Sequence, residues 1–311
     1  MSGAVLLLGV PAEPPLALAA AALQQIGARF LIWDQQEVSV SSCEVRIEDS
    51  GMKGCLTCPE WTVALQDVVG AYTRLASWAA LPGIAERAAD DPLVMHAAAV
   101  HVALDAWLEA TPARVVNRTF ANDSNNSKPF QALMIRRYFH VPETLVTNEP
   151  AVALAFCSQN TRTIYKSISG ERSIVTEFSS PDNDRLHLLR NSPVQLQAWV
   201  DGFDVRVHVV GGQTFATEVE STAIDYRYDH SAGGAKFTAF DLPADVEEAC
   251  VRLTEEMQLG LAGLDLRFAS DGRVFCFEVN PSPAYSVFES ATGQPISKAL
   301  ASYLAGHYNP P

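Results

Sequence analysis

The chain has 311 residues, of which 48% are hydrophobic and 19% are charged, and its formal net charge is -14. A chain of this length exceeds the usual size of one domain, so two or three units around one cleft are expected. The acidic balance argues against the basic surface that nucleic-acid-binding and membrane-surface proteins need, and we expect neither kind of partner.

The N-terminal part of the chain alternates strand and helix patterns. Strands are predicted over 5–9 and 30–34, with an Ala-rich helix over 16–26 between them. This β-α-β order indicates a small parallel α/β unit. The apolar start has no basic leader and prolines soon interrupt it, so we expect a cytoplasmic protein with no signal peptide and no spanning helix.

Six cysteines are scattered along the chain, and Cys55 and Cys58 have the C-x-x-C spacing. No second cysteine pair and no histidine pair follows at the spacing of a zinc site. Two reduced thiols in a loop are therefore expected, and a zinc or redox role is the alternative.

The middle of the chain contains elements separated by polar stretches. The predicted elements are a strand over 68–73, helices over 91–110, 128–139 and 150–157, and a strand over 163–168. Ser127 is a natural N-cap for the helix over 128–139, and Pro129 suits its first turn. The segments 117–127 and 179–184 are expected to be loops because of their polar composition.

The C-terminal third begins with strand patterns. The predicted elements are a strand over 194–200, a hairpin of strands over 204–210 and 214–219, and helices over 245–259 and 295–304. Strict alternation in the first hairpin strand places Asp204, Arg206 and His208 on one face. Residues 221–239 are polar, aromatic and Gly-rich, and a mobile or substrate-facing loop is expected there.

A further hairpin is predicted within residues 263–282, where two strand patterns flank Asp271-Gly272. Asp-Gly favours a two-residue turn in which both positions need φ > 0. With this turn as the hinge, the opposed pairs are Ser270 with Arg273, Phe268 with Phe275, and Asp265 with Glu278. Asn280 lies two residues beyond Glu278 and therefore shares its face.

The hairpin thus brings two carboxylates and an amide oxygen together on an apolar sheet. Like charges directly opposed in a sheet are destabilising, so a cation is expected between Asp265 and Glu278. Hard oxygen ligands favour Mg²⁺. The alternative is a two-sided hairpin with an acidic outer face and no bound ion.

Five features then occur in one order along the chain. Lys128 begins a helix that leads into V-P-E-T, and Lys166 ends a strand before a Gly-containing turn. Q-A-W-V precedes a D-x-R strand and V-V-G-G, and G-L-D-L and F-E-V-N-P complete the set. Over about residues 115–305 the chain resembles the ATP-grasp superfamily, and most of all its RimK-type peptide ligases. The segments T-F-A-T-E-V-E-S and I-D-Y-R-Y-D are similar to those of the microviridin-type (graspetide) ligase subgroup.

This resemblance implies an ATP-grasp fold of the α/β class, with α+β lobes and an N-terminal small parallel α/β (pre-grasp) domain. The implied division is 1–112 for the N-terminal domain, 113–192 for the central lobe or lid, and 193–311 for the C-terminal lobe with the metal site. A homodimer is also implied, since members of this superfamily often dimerise.

The resemblance also implies roles for individual residues. The implied metal ligands are Asp265, Glu278 and Asn280. The implied ATP-binding residues are Lys128, Lys166, Ser169, Gly170, Gln197, Ala198, Trp199, Val200 and Asp204. Within this set, Gln197 to Val200 form a hinge that offers backbone groups to adenine. The implied catalytic residues are Lys166, Arg206, which contacts the phosphate or acyl phosphate, and Arg267, which contacts the reacting carboxylate.

The implied activity is an ATP- and Mg²⁺-dependent ligation. A carboxylate is activated as an acyl phosphate, and an amine or alcohol of a peptide or amino acid then attacks it. One alternative is a RimK-type enzyme that adds amino acids to a protein tail or small acceptor. Another is a nucleotide-binding regulatory partner without catalysis. The chain departs from the microviridin-type pattern at Ala198, where an acidic residue is usual, and its contact would fall to Gln197 or Asp201. Tyr226 stands where that pattern has tryptophan.

Overall fold

A computed structural model provides the structure of the protein. It describes residues 3–49, 51–168, 175–221 and 234–307. The predicted nucleotide ligands Ser169 and Gly170, and Tyr226 with most of the predicted loop 221–239, lie outside the described residues.

The N-terminal unit contains two sheets. Its strands are β1 (Ala4–Gly9), β2 (Phe30–Asp34), β3 (Ser42–Glu48), β4 (Gly51–Thr57), β5 (Thr62–Ala64), β6 (Val68–Arg74) and β7 (Arg114–Val116), and its helices are α1 (Pro14–Gln25) and α2 (Pro92–Ala110). Short 3-10 helices span Gln35–Val40, Leu65–Asp67 and Trp78–Ala80. The first sheet has the order β2-β1-β6-β7 with every pair parallel, which confirms the predicted parallel α/β unit.

Strand β1 is buried on both faces, as expected for the centre of a parallel sheet. Leu6 and Leu8 belong to a core shared with α2, whereas Val5 and Leu7 belong to a second core shared with α1. Helix α2 is long and apolar enough to cross a membrane by length and composition alone, but a core helix passes the same test. Its residue Trp107 is fully buried in the first core.

The second sheet of this unit, β3-β4-β5, is antiparallel and was not predicted. Strand β3 alternates polar and apolar residues, but none of its residues is fully buried and Ile47 is 85% exposed. Strand β4 has no strict alternation, so this sheet was not singled out from the sequence. Cys55 lies within β4 and not in a loop, and Cys58 follows it. Burial raises the pKa of the Cys58 thiol, which favours the reduced, unreactive form over a redox role.

The central lobe is a helical segment followed by a small antiparallel sheet. Its elements are α3 (Thr119–Asn122), α4 (Lys128–Ile135), β8 (Thr144–Thr147), α5 (Pro150–Gln159), β9 (Thr163–Ser167), β10 (Thr176–Glu177) and β11 (Val194–Ala198). The strand order is β10-β9-β11-β8. Short 3-10 helices span Asp123–Asn126 and Ser180–Asn191.

Three predictions in this lobe are wrong in detail. The expected loop 117–127 contains α3 and a 3-10 helix, and the expected loop 179–184 runs into the second 3-10 helix. A polar composition does not exclude short helices, because a helix of one or two turns needs few apolar residues. Helix α4 ends at Ile135, because the following residues turn to form a bridge between His140 and Phe275.

The C-terminal lobe is a five-stranded antiparallel sheet with helices on both faces. Its elements are β12 (Gly202–Val210), β13 (Gln213–Glu220), β14 (Lys236–Phe240), α6 (Ala244–Glu256), β15 (Leu261–Ala269), β16 (Val274–Asn280), α7 (Ser286–Thr292) and α8 (Ile296–Leu304). The order is β14-β13-β12-β15-β16, and the predicted β12-β13 hairpin is confirmed. Strand β14 lies where a loop was expected.

The two faces of this sheet have different neighbours. One face packs on α4 and α6 in a core of its own. The other packs with α7 and α8 in the same core as α1 and the second face of β1. The N-terminal sheet and the C-terminal sheet therefore share one continuous core. The three-part division of the chain remains a prediction, and β7, which follows its first boundary, pairs in the N-terminal sheet.

Candidate active site

The β15-β16 hairpin pairs Asp265 with Glu278 as predicted, but it does so by a different route. Gly272 has φ +84°, whereas Asp271 is not among the described residues with positive φ, so the two-residue turn is wrong. Ala269 N–H instead donates to the Arg273 carbonyl at 2.9 Å, which closes a three-residue loop.

That longer loop shifts the register by one residue. Phe268 pairs with Val274 and not with Phe275, and Leu266 pairs with Cys276. A bulge between Leu266 and Asp265, at Phe277 on the opposite strand, restores the pairing of Asp265 with Glu278. Two departures from the expected geometry thus cancel, and the two carboxylates share one face.

The carboxylates form part of a row that crosses three strands. Arg206 on β12 lies opposite Asp265 on β15, which lies opposite Glu278 on β16. Arg206 Nη1 donates to Asp265 Oδ1 at 2.7 Å, and the arginine is only 6% exposed. The adjacent row places Gly263 opposite Asn280.

Lys128 approaches the same row from the start of α4. Its Nζ lies 3.9 Å from Glu278 Oε1, and the lysine is 8% exposed. One turn later, Gln131 donates to the Val279 carbonyl at 2.7 Å and accepts from the Val279 N–H at 2.9 Å. The Gln131 side chain thus bonds both backbone groups of Val279, as a neighbouring strand would at the edge of the sheet. These bonds hold α4, and with it Lys128, against the hairpin.

The row on the other side of Arg206 joins Asp204 to Arg267. The Arg267 guanidinium donates to both Asp204 oxygens at 2.7 and 2.8 Å, a bidentate pair. Its Nη1 also donates to the Val200 carbonyl at 2.8 Å, and its guanidinium carbon lies 4.9 Å from the ring centroid of Trp199. Arg267 therefore connects the predicted hinge to the C-terminal sheet.

A cleft lies between the central sheet and this row of charges. Its lining contains eight of the predicted site residues, namely Lys166, Gln197, Ala198, Trp199, Val200, Asp204, Asp265 and Glu278, and both candidate catalytic arginines. Lys166 reaches the cleft from β9, where it lies opposite Gln195 of β11 and is 7% exposed. Lys128 and Asn280 are not part of this lining. Lys128 lies beside it through its contact with Glu278, and Asn280 lies in the next row of the sheet, opposite Gly263.

Hydrogen bonds at the hinge leave few groups available to a ligand. The Ala198 N–H donates to the Glu143 carbonyl, and the Trp199 N–H donates to the Arg162 carbonyl, both at 3.0 Å. The Val200 N–H has no backbone acceptor within the described ranges. Of the N–H groups of Ala198, Trp199 and Val200, that of Val200 is therefore the candidate donor to a ligand.

The side chain of Gln197 has an unused acceptor in the cleft. The residue is 4% exposed, and its Nε2 donates to Thr144 Oγ1 at 3.0 Å. Its Oε1 is buried and has no hydrogen-bond partner among the described residues. Asp201, the other candidate for the contact missing at Ala198, is exposed and accepts from Trp199 Nε1. A buried acceptor without a partner is costly, which makes Gln197 the better candidate.

The donor set of the hairpin fits Mg²⁺. Two carboxylates and an amide oxygen are hard ligands, and phosphate oxygens and water would complete six-fold coordination. Asn280 Oδ1 already accepts from the Ser282 N–H at 2.8 Å, which leaves one lone pair for a metal. Among the described residues no three His, Cys, Asp or Glu side chains gather as a metal site, so this mixed set is the candidate.

His208 is buried next to the site. It lies two residues beyond Arg206 on β12, has no exposed surface, and its ring centroid is 4.9 Å from that of Phe288. Neither ring nitrogen has a hydrogen-bond partner in the part of the chain that the structure describes. Burial, and then the charge of Arg206, lower the pKa of His208 well below 6.5. The imidazole is therefore neutral in the folded protein.

This burial predicts a loss of stability in acid. As pH falls below 6.5, the unfolded chain binds a proton at His208 that the folded chain does not, and the loss of stability approaches about 1.4 kcal/mol per pH unit. We expect His208→Phe to lose about 1.4 kcal/mol less than the parent between pH 7.5 and 5.5 in urea unfolding. Equal losses in the two proteins would show that His208 is accessible to protons.

Three residues that support the site were not singled out from the sequence. Gln131 holds Val279, as described above. Asn117, which follows β7, donates to the carbonyls of Leu261 and Pro281 and accepts from the N–H groups of Gly260 and Leu261.

The third is Arg74, at the end of β6, which contacts the loop after Asn280. Arg74 is the last residue of the parallel strand β6, and Asn117 directly follows the parallel strand β7. The carboxyl ends of such strands are where ligands bind in open α/β sheets, and this position was the available signal.

Comparison with known proteins agrees with this geometry. The family model for the RimK-like ATP-grasp domain matches residues 124–304. A probable alpha-L-glutamate ligase of Cellvibrio japonicus is 34% identical over 113 residues, which are 35% of this chain and 36% of that protein. A probable alpha-L-glutamate ligase of Haemophilus influenzae is 24% identical over 61% of this chain and 65% of that protein. The chain spans little more than a third of the length of the first of these relatives.

Solved structures resemble the whole chain. A RiPP-associated ATP-grasp ligase of Chryseobacterium gregarium, in complex with ADP and a leader and core peptide, has a TM-score of 0.84 at 18% identity, covering 99% of this chain and 98% of that one. The macrocyclase MdnC of Microcystis aeruginosa MRC, bound with precursor peptide MdnA, has a TM-score of 0.81 at 19% identity, covering 97% and 99%. At these identities the likeness establishes the fold.

The matched domain covers more than half of the chain, and the fold agrees over nearly all of it. The chain therefore belongs to the RimK-like ATP-grasp family, and the resemblance inferred from its motifs is confirmed.

Proposed function

We propose that the protein is an ATP- and Mg²⁺-dependent ligase that joins a carboxylate to an amine or an alcohol. The observation that carries the proposal is the row of Arg206, Asp265 and Glu278 across three strands, with Lys128 beside it and Lys166 facing the same cleft. This arrangement would bring the proposed metal ligands and the proposed phosphate-binding cations together around one cleft.

ATP is the expected occupant of the cleft. We expect Gln197 Oε1, which has no partner among the described residues, to accept from an adenine amino group, and the Val200 N–H to donate to a ring nitrogen. Lys166 and Lys128 supply positive charge for the phosphates, a role that suits the point charge of lysine. Ser169 and Gly170 remain predicted phosphate contacts. One solved structure of this fold, of the ligase PsnB with a precursor variant, contains Mg and ADP.

Asp265, Glu278 and Asn280 would hold the metal. When bound, Mg²⁺ supplies charge neutralisation for the phosphate oxygens during transfer. The protein's own cations add to this effect. Arg206, held by Asp265, would contact the transferred phosphoryl group.

The reaction has two displacements. A substrate carboxylate oxygen attacks the γ-phosphorus, ADP leaves, and an acyl phosphate forms. An amine nitrogen or hydroxyl oxygen then attacks the acyl carbon, inorganic phosphate leaves, and the nucleophile gives up a proton. We propose Arg267 as the contact of the reacting carboxylate, although Asp204 and Val200 occupy three of its five N–H donors in this structure.

The substrate is proposed to be a peptide. The solved structures with the same fold over nearly the whole chain include one described as a complex with a leader and core peptide and one described as bound with a precursor peptide. The second candidate is addition of an amino acid to a protein tail or small acceptor, which the names of the glutamate-ligase relatives favour. A homodimer and a cytoplasmic location are part of this proposal.

The decisive experiment measures ADP release from the purified protein across pools of peptides and amino acids, followed by intact-mass analysis of each responding substrate. Loss of water from a peptide indicates an internal ester or amide bond, whereas gain of an amino-acid residue indicates tail addition. ATP binding without ADP release in any pool would contradict catalysis and favour the regulatory alternative.

A glycine beside the site gives a further prediction. A Cβ added at Gly263 would lie 2.1 Å from Nη2 of Arg206, so alanine must displace the guanidinium from Asp265. We expect Gly263→Ala to reduce ADP release about 100-fold, because small misplacements of a positioned group have large effects. The thermal unfolding midpoint serves as the control for folding. Parental turnover in a folded Gly263→Ala protein would show that the observed position of the Arg206 guanidinium is not required for activity.

A further inference from the structure

Arg74 connects the N-terminal sheet to the end of the metal hairpin. Its side chain is 11% exposed, and its Nε donates to Glu13 Oε1 at 2.8 Å, with a second contact from Nη2. Its Nη1 donates to Ser282 Oγ at 3.0 Å and to the Pro283 carbonyl at 3.3 Å. One guanidinium therefore joins the N-cap of α1 to the loop after β16.

The contact continues from Ser282 to a proposed metal ligand. The Ser282 N–H donates to Asn280 Oδ1 at 2.8 Å. This bond occupies one of the two lone pairs of the amide oxygen and orients the other. The position of Ser282 therefore sets the direction in which Asn280 presents its remaining lone pair.

Other residues hold the end of β16 and the start of the loop, so the contact of Arg74 with Ser282 can be distinguished from general support of this region. Gln131 fixes Val279 through two hydrogen bonds, and Asn117 fixes the Pro281 carbonyl. Neither residue contacts Ser282 among the described hydrogen bonds, whereas Arg74 does. Glu13 in turn holds the Arg74 guanidinium in place as an ion pair.

We propose that Arg74 is a positioning residue for the magnesium site, acting through Ser282 on Asn280. This inference rests on the proposed function, because it assumes that Asn280 is a metal ligand. Groups that orient metal ligands typically contribute 10- to 100-fold to metal affinity. By this proposal the N-terminal unit contributes a residue, Arg74, that orients a ligand of the magnesium site.

The test compares Arg74→Leu and Ser282→Ala with the parent protein. Calorimetric titration with the non-hydrolysable analogue AMPPNP, with and without Mg²⁺, gives nucleotide affinity, and electron paramagnetic resonance of Mn²⁺ gives metal affinity directly. We expect both variants to weaken Mn²⁺ binding to the AMPPNP complex about 10-fold, while metal-free AMPPNP binding stays at the parental value.

Ser41→Ala is the matched control. The Ser41 hydroxyl accepts from Trp33 Nε1 at 3.0 Å and donates to the Glu37 carbonyl at 2.9 Å, so the variant loses buried hydrogen bonds within the N-terminal unit alone. It should lower the unfolding midpoint and leave Mn²⁺ affinity unchanged. Ser282→Ala retains the pair of Arg74 with Glu13, and it decides the question if Arg74→Leu fails to fold.

The outcomes separate this inference from the proposed function. If the parent shows no metal-dependent nucleotide binding, the proposed site fails and the inference fails with it. If the parent binds Mn²⁺ with AMPPNP and Ser282→Ala binds it equally well, the site stands and the role of Arg74 is overturned. Equal weakening in Ser41→Ala would also overturn it, because the effect would then reflect stability alone.

Discussion

Replacing Glu278 with alanine is expected to reduce ADP release at least about 100-fold while the protein stays folded. Glu278 is one of two carboxylates that the hairpin brings together, and its neighbour Lys128 lies 3.9 Å away. Removing it would take a hard oxygen ligand from the proposed metal site, and it leaves Lys128 without that anionic partner. No other described carboxylate is paired opposite Asp265 in the sheet.

The control is Glu48→Ala, which removes an exposed carboxylate paired with Lys53 on the β3-β4 hairpin. Exposed ion pairs contribute little to stability, so this variant should retain parental turnover and unfolding midpoint. Glu278→Gln should behave like the alanine variant, because an amide keeps the volume but lacks the charge. Full turnover in either Glu278 variant would defeat the metal-site assignment.

Lys166→Ala is the second substitution with a large expected effect. Lys166 is 7% exposed on β9 and lines the cleft across from the row of Arg206, Asp265 and Glu278. Lys166 is proposed to bind the ATP phosphates, a role that suits the point charge of a lysine ammonium. We expect ADP release to fall about 100- to 1,000-fold and AMPPNP affinity to fall with it.

Two measurements distinguish this effect from unfolding. Circular dichroism should show parental secondary structure, and Lys53→Ala, on the exposed pair with Glu48, should keep parental ADP release. A Lys166→Ala protein that binds AMPPNP and turns over like the parent would place the phosphates elsewhere. Loss of turnover with unchanged AMPPNP affinity would also contradict the assigned role in nucleotide binding.

The hairpin shows how a sequence can predict a contact through incorrect local geometry. The D-G turn was expected to have two residues, but a three-residue loop and a bulge at Phe277 formed. Alternation along each strand limits which residues share a face, and the buried face restricts the register. The pairing of Asp265 with Glu278 therefore survived an error in the turn.

The unpredicted parts have different physical origins. Strand β3 alternates polar and apolar residues, but its apolar side chains are half-buried or exposed, and its partner β4 has no strict alternation, so the pair was not recognised as a hairpin. Gln131, Asn117 and Arg74 are single polar residues whose roles depend on carbonyls far away in sequence, such as the 148 residues that separate Gln131 from Val279. No local pattern encodes such a partner.

By itself, the sequence determined the class of the fold, the two hairpins and the chemical character of the cleft. These properties follow from local periodicity and from the order of a few charged residues in apolar strands. Both can be read directly from the sequence. Only the tertiary structure decided that Gln197 leaves a buried acceptor free, that Arg267 braces the hinge, and that Arg74 reaches the loop after Asn280. Those relations depend on distances between segments that are far apart in the sequence. The packing of the whole chain sets these distances.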